Sequence, residues 1–263
     1  MSGAGTHPPV LVAGASTVGS MHIQSDLPCQ DASAWEALPG GGCVLVVADG
    51  AGSSPLAHEG AQTTVRAVIQ SLSRRFKHPG VPEPQEVEEM LEAAIEDARA
   101  EIHELAGESG KPATHFSTTV QTAVAFPDFV TFAQLGDGAC VLRRTGSECY
   151  GLIFPPQEGE YAGETCFLPH HPSEAHPLAI CTAPGPWALV CLLTDGVAGA
   201  SVERAGLVPM PGFFGPIERL LRQHGDDVGT RWITRELEVG ATAQRVTDDR
   251  TLVVAFREEE PME

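Results

Sequence analysis

Apolar runs of two kinds alternate along the chain. Residues 10–13 and 43–48 are β-branched runs of strand length that end in small residues. The second, CVLVVA, carries no polar break and predicts a strand buried on both faces. After Pro55 the period changes. Ala61, Val65, Val68, Ile69, Leu72 and Phe76 recur at helical spacing until His78-Pro79-Gly80 stops the pattern. A second stripe (Val87, Met90, Leu91, Ala94, Ile95, Ala98, Ile102, Leu105) faces a row of glutamates and closes at Gly107 and Gly110. Strands are then predicted at 118–126, 130–135 and 139–143, with Pro127-Asp128 as a hairpin turn. Residues 151–186 are rich in Pro, Gly and His, have little periodicity, and read as a long excursion with room for one strand. A buried strand at 187–193, helices at 217–223 and 230–239, and a closing strand at 251–256 complete the pattern. Clusters of strands and helices without strict βαβ alternation predict an α+β fold with a largely antiparallel sheet system. The pattern leaves open whether the two long helices join strands of one sheet or of two.

Composition narrows the function classes. Lys and Arg number 16 against 35 Asp and Glu, a formal charge of −19. That argues against nucleic acid and against an anionic membrane surface as partners. It does not exclude phosphorylated substrates, because bound divalent cations reverse the field of an acidic site. Seven scattered cysteines without a CxxC pair fit a reducing cytoplasm better than a disulfide framework. No signal peptide or membrane-spanning run is evident in the sequence. The expected organisation is one domain over 1–257 with an acidic tail at 258–263.

The aspartates carry the candidate chemistry. Asp49, Asp137 and Asp195 each follow an apolar strand and precede a glycine, Asp248 and Asp249 stand just before the last strand, and Asp31 follows Pro28-Cys29-Gln30. One Asp-Gly is an ordinary turn. Three, each closing a buried strand, predict carboxylates that meet at strand ends. Such carboxylates repel unless a cation holds them, and oxygen donors without His or Cys suit Mg²⁺ or Mn²⁺.

Taken in order, Gln30-Asp31, VVADGAG at 46–52, STT at 117–119, LGDG at 135–138, LTDG at 193–196 and DDRT at 248–251 resemble the metal-dependent Ser/Thr protein phosphatases of type 2C, in their compact bacterial branch. The resemblance implies a four-layer α-β-β-α sandwich of two mostly antiparallel sheets flanked by helices. It implies two Mn²⁺ or Mg²⁺ ions and a weaker third. Asp49 would bridge the two ions, with the Gly50 carbonyl on one and Asp195 and Asp248 on the other. Asp137 with Asp195 would hold the third ion, and Asp31 would make a second-layer or water-mediated metal contact. The implied activity is hydrolysis of phospho-Ser/Thr on proteins, the substrate being a phosphorylated protein such as a Ser/Thr kinase or its target.

The chain departs from the family pattern at three points. Ala51 replaces the usual His of DGHG, no Arg stands near Asp26 ahead of Gln30-Asp31, and Gln30 replaces an acid. His22 is therefore a candidate cation for the phosphate, and His58 a candidate acid. The group His170, His171 and His176 reads as a loop beside the cleft rather than as a metal site. The rival reading is a pseudophosphatase, a binding module on the same fold.

Overall fold

The computed structural model describes residues 9–77, 80–155, 157, 166–170, 178–203 and 205–258. The strands are β1 (Val10–Thr17), β2 (Ala32–Leu38), β3 (Gly42–Ala48), β4 (Val120–Phe126), β5 (Phe129–Leu135), β6 (Ala139–Arg144), β7 (Tyr150–Leu152), β8 (Ala179–Pro184), β9 (Trp187–Leu193), β10 (Val202–Glu203), β11 (Val208–Pro209) and β12 (Arg250–Arg257). The helices are α1 (Ser20–Gln24), α2 (Ala57–Arg75), α3 (Pro84–Ser109), α4 (Asp195–Ser201) and α5 (Pro211–Val239).

Two five-stranded sheets form, ordered β1-β12-β9-β6-β7 and β2-β3-β4-β5-β8, and β10 pairs with β11. Among the described residues every strand ladder is antiparallel. Strand alternation divides the apolar residues among three cores. Val44, Val46 and Ala48 face α2 and α3, together with Val65, Leu72, Leu91 and Ile95. Cys43, Leu45 and Val47 face the other way and meet Val190, Leu192, Val253 and Ala255 between the sheets. Leu189, Cys191, Leu193, Leu252 and Val254 pack outward on Phe214, Ile217, Leu221 and Ile233 of α5. Each central strand thus presents apolar side chains to both faces, as the CVLVVA run predicts, and the layers stack α-β-β-α.

The helical pair α2–α3 leaves β3 and returns to β4, its antiparallel neighbour in the same sheet. α3 begins with a capping box between Glu83 and Glu86 and ends at Gly110 in a left-handed conformation. The helices predicted at 217–223 and 230–239 are the two halves of α5, separated at Gly225 (φ 77°). Three edge strands escape the sequence pattern. β2 is an edge strand whose Trp35, Glu36 and Ala37 are exposed, so it shows no apolar alternation. β7 and β8, also at sheet edges, lie in or beside the 151–186 excursion, where one strand was expected. Residues 171–177, which include His171 and His176, and 259–263 of the expected tail lie outside the described residues.

Candidate active site

Antiparallel register brings the aspartates to one end of the sandwich. Ala32 pairs with Ala48, so Asp31 before β2 lies beside Asp49 after β3. Leu193 pairs with both Ala139 and Leu252, so Asp195 after β9 is flanked by the Asp137 turn and by Asp248 ahead of β12. The chain changes sheets between β5 and β6, at Gly136-Asp137-Gly138, so that turn spans the gap between the two sheets.

Each aspartate is fixed through its backbone. The Asp49 amide donates to Thr119 Oγ1 (3.0 Å). Its carbonyl accepts from the Thr119 amide (2.8 Å) and from Thr118 Oγ1 (2.8 Å). The STT segment is therefore a clamp on Asp49. Gly50 passes so close to the chain that a Cβ there would lie 2.7 Å from the Gln30 carbonyl oxygen and 2.8 Å from that of Ala57. The residue after Asp49 must be glycine for the two loops to touch. Asp195 opens α4 behind the N-cap Thr194, whose hydroxyl accepts from the Thr251 amide (3.0 Å) and donates to Asp31 Oδ2 (2.8 Å).

Asp249 is the residue that sequence reasoning left without a role. Its carboxylate is buried and accepts the amides of Gly19 (2.5 Å) and Gln30 (2.5 Å), tying the segment before Asp31 to the segment that carries Asp248. Gly19 and Gly196 press on the same stretch: a Cβ on Gly19 would lie 2.3 Å from the Asp248 carbonyl carbon, and one on Gly196 2.0 Å from the Asp249 carbonyl oxygen. In sequence the only signal was the adjacency of two aspartates, which does not say which one turns inward.

His22 also turns inward. It is buried, with Nδ1 2.9 Å from Asp249 Oδ2, but the approach is not aligned as a hydrogen bond. This places the ring on the protein side of the cleft edge, against the Asp248-Asp249 segment. His58 lies in the first turn of α2, with Nε2 3.9 Å from Glu59 Oε1. Ala51, in the position of the usual His, is buried, and its amide donates to the Ser117 carbonyl (3.0 Å).

Exposure grades across the cluster. Asp31 is buried, Asp49 and Asp137 are half-buried, and Asp195 and Asp248 retain open surface. Burial pushes the Asp31 carboxyl up to about 7, against the pull of the Thr251 and Thr194 hydroxyls and with help from Asp249 and Asp195. Asp49 is raised well above the usual carboxylate range, first by burial and then by the charges of Asp31 and Asp195. Asp195 is raised too, first by desolvation, although it keeps accessible surface. The two facts agree if Asp195 lines a concave cleft, wet on one side and walled by protein on the other, so its desolvation is partial.

A divalent cation fits this donor set. The donors are oxygens, and Asp49 and Asp195 lie within hydrogen-bonding reach of each other, a separation that two ionised carboxylates hold only around shared positive charge. Gln30 Oε1 and both amide atoms of Gln121, the latter packed under Gly138, are buried without a hydrogen-bond partner. Among the described residues no three His, Cys, Asp or Glu side chains close around one point. Carboxylates would thus contribute singly or in pairs, with water completing the shell, as Mg²⁺ prefers. A separate cavity of about 380 Å³, lined by Phe213, Ile217, Trp232 and Leu237, lies under α5 and holds none of these aspartates.

A two-sheet sandwich with oxygen-only acids gathered at one end is the architecture of a metal-dependent phosphatase. Comparison with known proteins gives the family: the protein phosphatase 2C profile matches residues 18–238, and the chain belongs to that family of phosphoprotein phosphatases. It is 30% identical over 254 residues to serine/threonine-protein phosphatase 3 of Escherichia coli (strain K12), covering 92% of this chain and 96% of that protein. The fold is shared with the serine/threonine phosphatase of S. agalactiae (TM-score 0.64, 15% identity, 95% of this chain and 100% of that one). It is shared with the Mycobacterium tuberculosis phosphatase PstP/Ppp as well (TM-score 0.62, 17% identity, 95% and 99%). A structure of the PstP catalytic domain in complex with 2 manganese ions also matches (TM-score 0.62, 17% identity, 94% and 97%).

Proposed function

We propose that this chain hydrolyses phosphoserine and phosphothreonine on proteins at a centre of two Mn²⁺ or Mg²⁺ ions held by Asp49, the Gly50 carbonyl, Asp195 and Asp248, with Asp137 and Asp195 holding a weaker third. When bound, such ions neutralise phosphate oxygens and make a water nucleophilic at neutral pH. The observation that carries the reading is the convergence of Asp31, Asp49, Asp137, Asp195 and Asp248 at adjoining strand ends, where burial raises the carboxyls of Asp31, Asp49 and Asp195.

The chain's own groups do the rest. The Thr118-Thr119 clamp fixes Asp49. The Thr194 hydroxyl holds Asp31 as a second layer beneath the ligands. Asp249 and His22 seat the Asp248 segment, which makes His22 a positioning residue behind the cleft edge rather than a direct phosphate contact. Ala51 supplies no proton, so the leaving alkoxide depends on solvent and phosphoserine is the harder substrate.

The test is hydrolysis of para-nitrophenyl phosphate and of a phosphoserine peptide, with and without Mn²⁺, beside calorimetric Mn²⁺ binding. Mn²⁺-dependent turnover of both, faster on the aryl ester, and its loss in Asp49→Asn to below about a tenth of wild type are expected, since a shared ligand contributes several kcal/mol. Mn²⁺ binding without turnover of either substrate would establish the pseudophosphatase instead.

A further inference from the structure

The two halves of α5 double back at Gly225 and touch near the bend, where a Cβ on Gly229 would run into Leu221. Toward the other end they part, because large side chains stand between them. Phe213 and Ile217 of the first half and Trp232 and Leu237 of the second enclose the cavity of about 380 Å³, with Ala200 of α4 and Leu252 of β12 as further walls. Small-molecule sites have volumes of roughly 300–1,000 Å³ and are mostly apolar, with a few fixed polar groups.

The polar side chains on the wall are Trp232, Glu236, Thr242 and Arg245. Thr242 is only 5% exposed. Among the described residues neither its hydroxyl, nor the Trp232 indole N–H, nor the Arg245 guanidinium has a hydrogen-bond or ion-pair partner. Glu236 is the only acid on the wall, and its Oε1 already accepts the Ala241 amide (2.9 Å). The cavity therefore combines an apolar interior with unmatched donors, one of them a permanent positive charge. Enclosed donors without acceptors are costly, and an anionic acceptor answers them best.

We propose that this cavity binds a small amphipathic carboxylate, its aliphatic or aryl body among Phe213, Trp232 and Leu237 and its acid group at Arg245, and that occupancy tightens Mn²⁺ binding at the acidic cleft. Burial of the body supplies affinity, and the donors select an acid over an alcohol or an amine. The coupling follows from the walls. Arg245 stands three residues before Asp248. Ala200 belongs to α4, which opens at Asp195, and the Met210 amide ties the cavity wall to the Ser201 carbonyl at the end of that helix (2.8 Å). A bound acid neutralises the Arg245 charge and contacts both segments that carry proposed metal ligands. The coupling rests on the metal-centre reading; the binding does not.

Decanoate, decanol and decylamine share one apolar body and test the site through tryptophan fluorescence of the metal-free protein, since Trp232 lines the cavity. Decanoate should bind about tenfold tighter than decanol, with decylamine weakest, and the fluorescence change should vanish in Trp232→Phe. Arg245→Gln should remove the preference for the acid, and Ala241→Phe should block all three ligands. Both positions are exposed, so neither variant disturbs the core. In calorimetry, saturating decanoate should raise Mn²⁺ affinity about fivefold in wild type. It should leave that affinity unchanged in Ala241→Phe, which controls for direct capture of Mn²⁺ by the acid. Equal affinity for decanoate and decanol in wild type, or binding that survives Ala241→Phe, overturns the site. An Mn²⁺ affinity that does not respond to decanoate overturns the coupling. If Mn²⁺ does not bind at all, the metal-centre reading falls and the coupling with it, and the fluorescence titration still decides the cavity.

Discussion

Asp249 offers the sharpest perturbation because its partners are counted. Its two oxygens accept the Gly19 and Gln30 amides at 2.5 Å each, in a side chain with 3% exposure. Hydrogen bonds to a charged acceptor contribute about 1.5–3 kcal/mol each, and Asp249→Ala leaves both amides without that acceptor. The expected loss is about 3–6 kcal/mol, or about 6–24 °C in Tm at roughly 2–4 °C per kcal/mol for a chain of this size. Asp249→Asn keeps one acceptor oxygen and turns an NH₂ toward the other amide, so about half the loss remains. It also removes a charge that raises Asp31, which offsets part of that half. Scanning calorimetry of the metal-free proteins should rank wild type, Asn and Ala in descending order. Mn²⁺ affinity should fall with them, because Asp248 loses its seat between Gly19 and Gly196. An Ala variant melting within about 2 °C of wild type would show that these two amides do not depend on Asp249.

Asp137→Ala should leave tight binding of two ions nearly intact while lowering kcat and raising the Mn²⁺ concentration needed for full activity; equal loss of tight binding in calorimetry would put Asp137 in the core pair. Glu218→Gln should cost about 3–5 kcal/mol, because Glu218 Oε1 accepts from Arg143 Nε (2.7 Å) and Tyr150 OH (2.9 Å) in a buried pair; an unfolding midpoint like that of wild type would refute this. The pH dependence follows from the raised carboxyls. An acid whose folded pKa lies above its unfolded value near 4 favours folding below pH 4 and loses that contribution as pH rises through the folded value, about 7 for Asp31. Metal-free protein should therefore lose stability between about pH 4 and 7, and the Tm gain from Mn²⁺ should grow over the same interval; a metal gain independent of pH would contradict it.

The core was legible because its strands are central. β3, β4, β5 and β9 are buried at every position, and an unbroken apolar run marks such a strand by itself. The edges were not. β2 reads ASAWEAL, with three exposed residues at its middle, and its pairing with β3 depends on backbone groups that any sequence offers. The placement of α2–α3 over one sheet was equally hidden, since apolar stripes specify a buried face and not the surface that covers it. Only the β3–β4 register resolves it.

The convergence of the acids was legible in the sequence and their supports were not, and the reason is chemical. Metal-ready aspartates stand where strands end because the last peptide of a strand is the last one held by the ladder, and the glycine beyond it lets another loop approach. At Gly50, Gly138 and Gly196 the approaching atoms are backbone carbonyls or a buried amide within 2.8 Å of where a Cβ would stand. Asp-Gly at a strand end therefore records two constraints in adjacent letters. Supports leave no such record. Thr194 holds Asp31 across 163 positions and Asp249 holds Gly19 across 230, and either contact could be made by many residues as far as sequence can tell. The pair Asp248-Asp249 shows the limit. Two identical side chains follow one another, and the backbone sends one into a cage of amides and leaves the other in the open cleft. Their chemistry differs only through what the fold brings to each: two donors that accept no metal for Asp249, and for Asp248 a solvent-facing position beside Asp195 where a cation can bind.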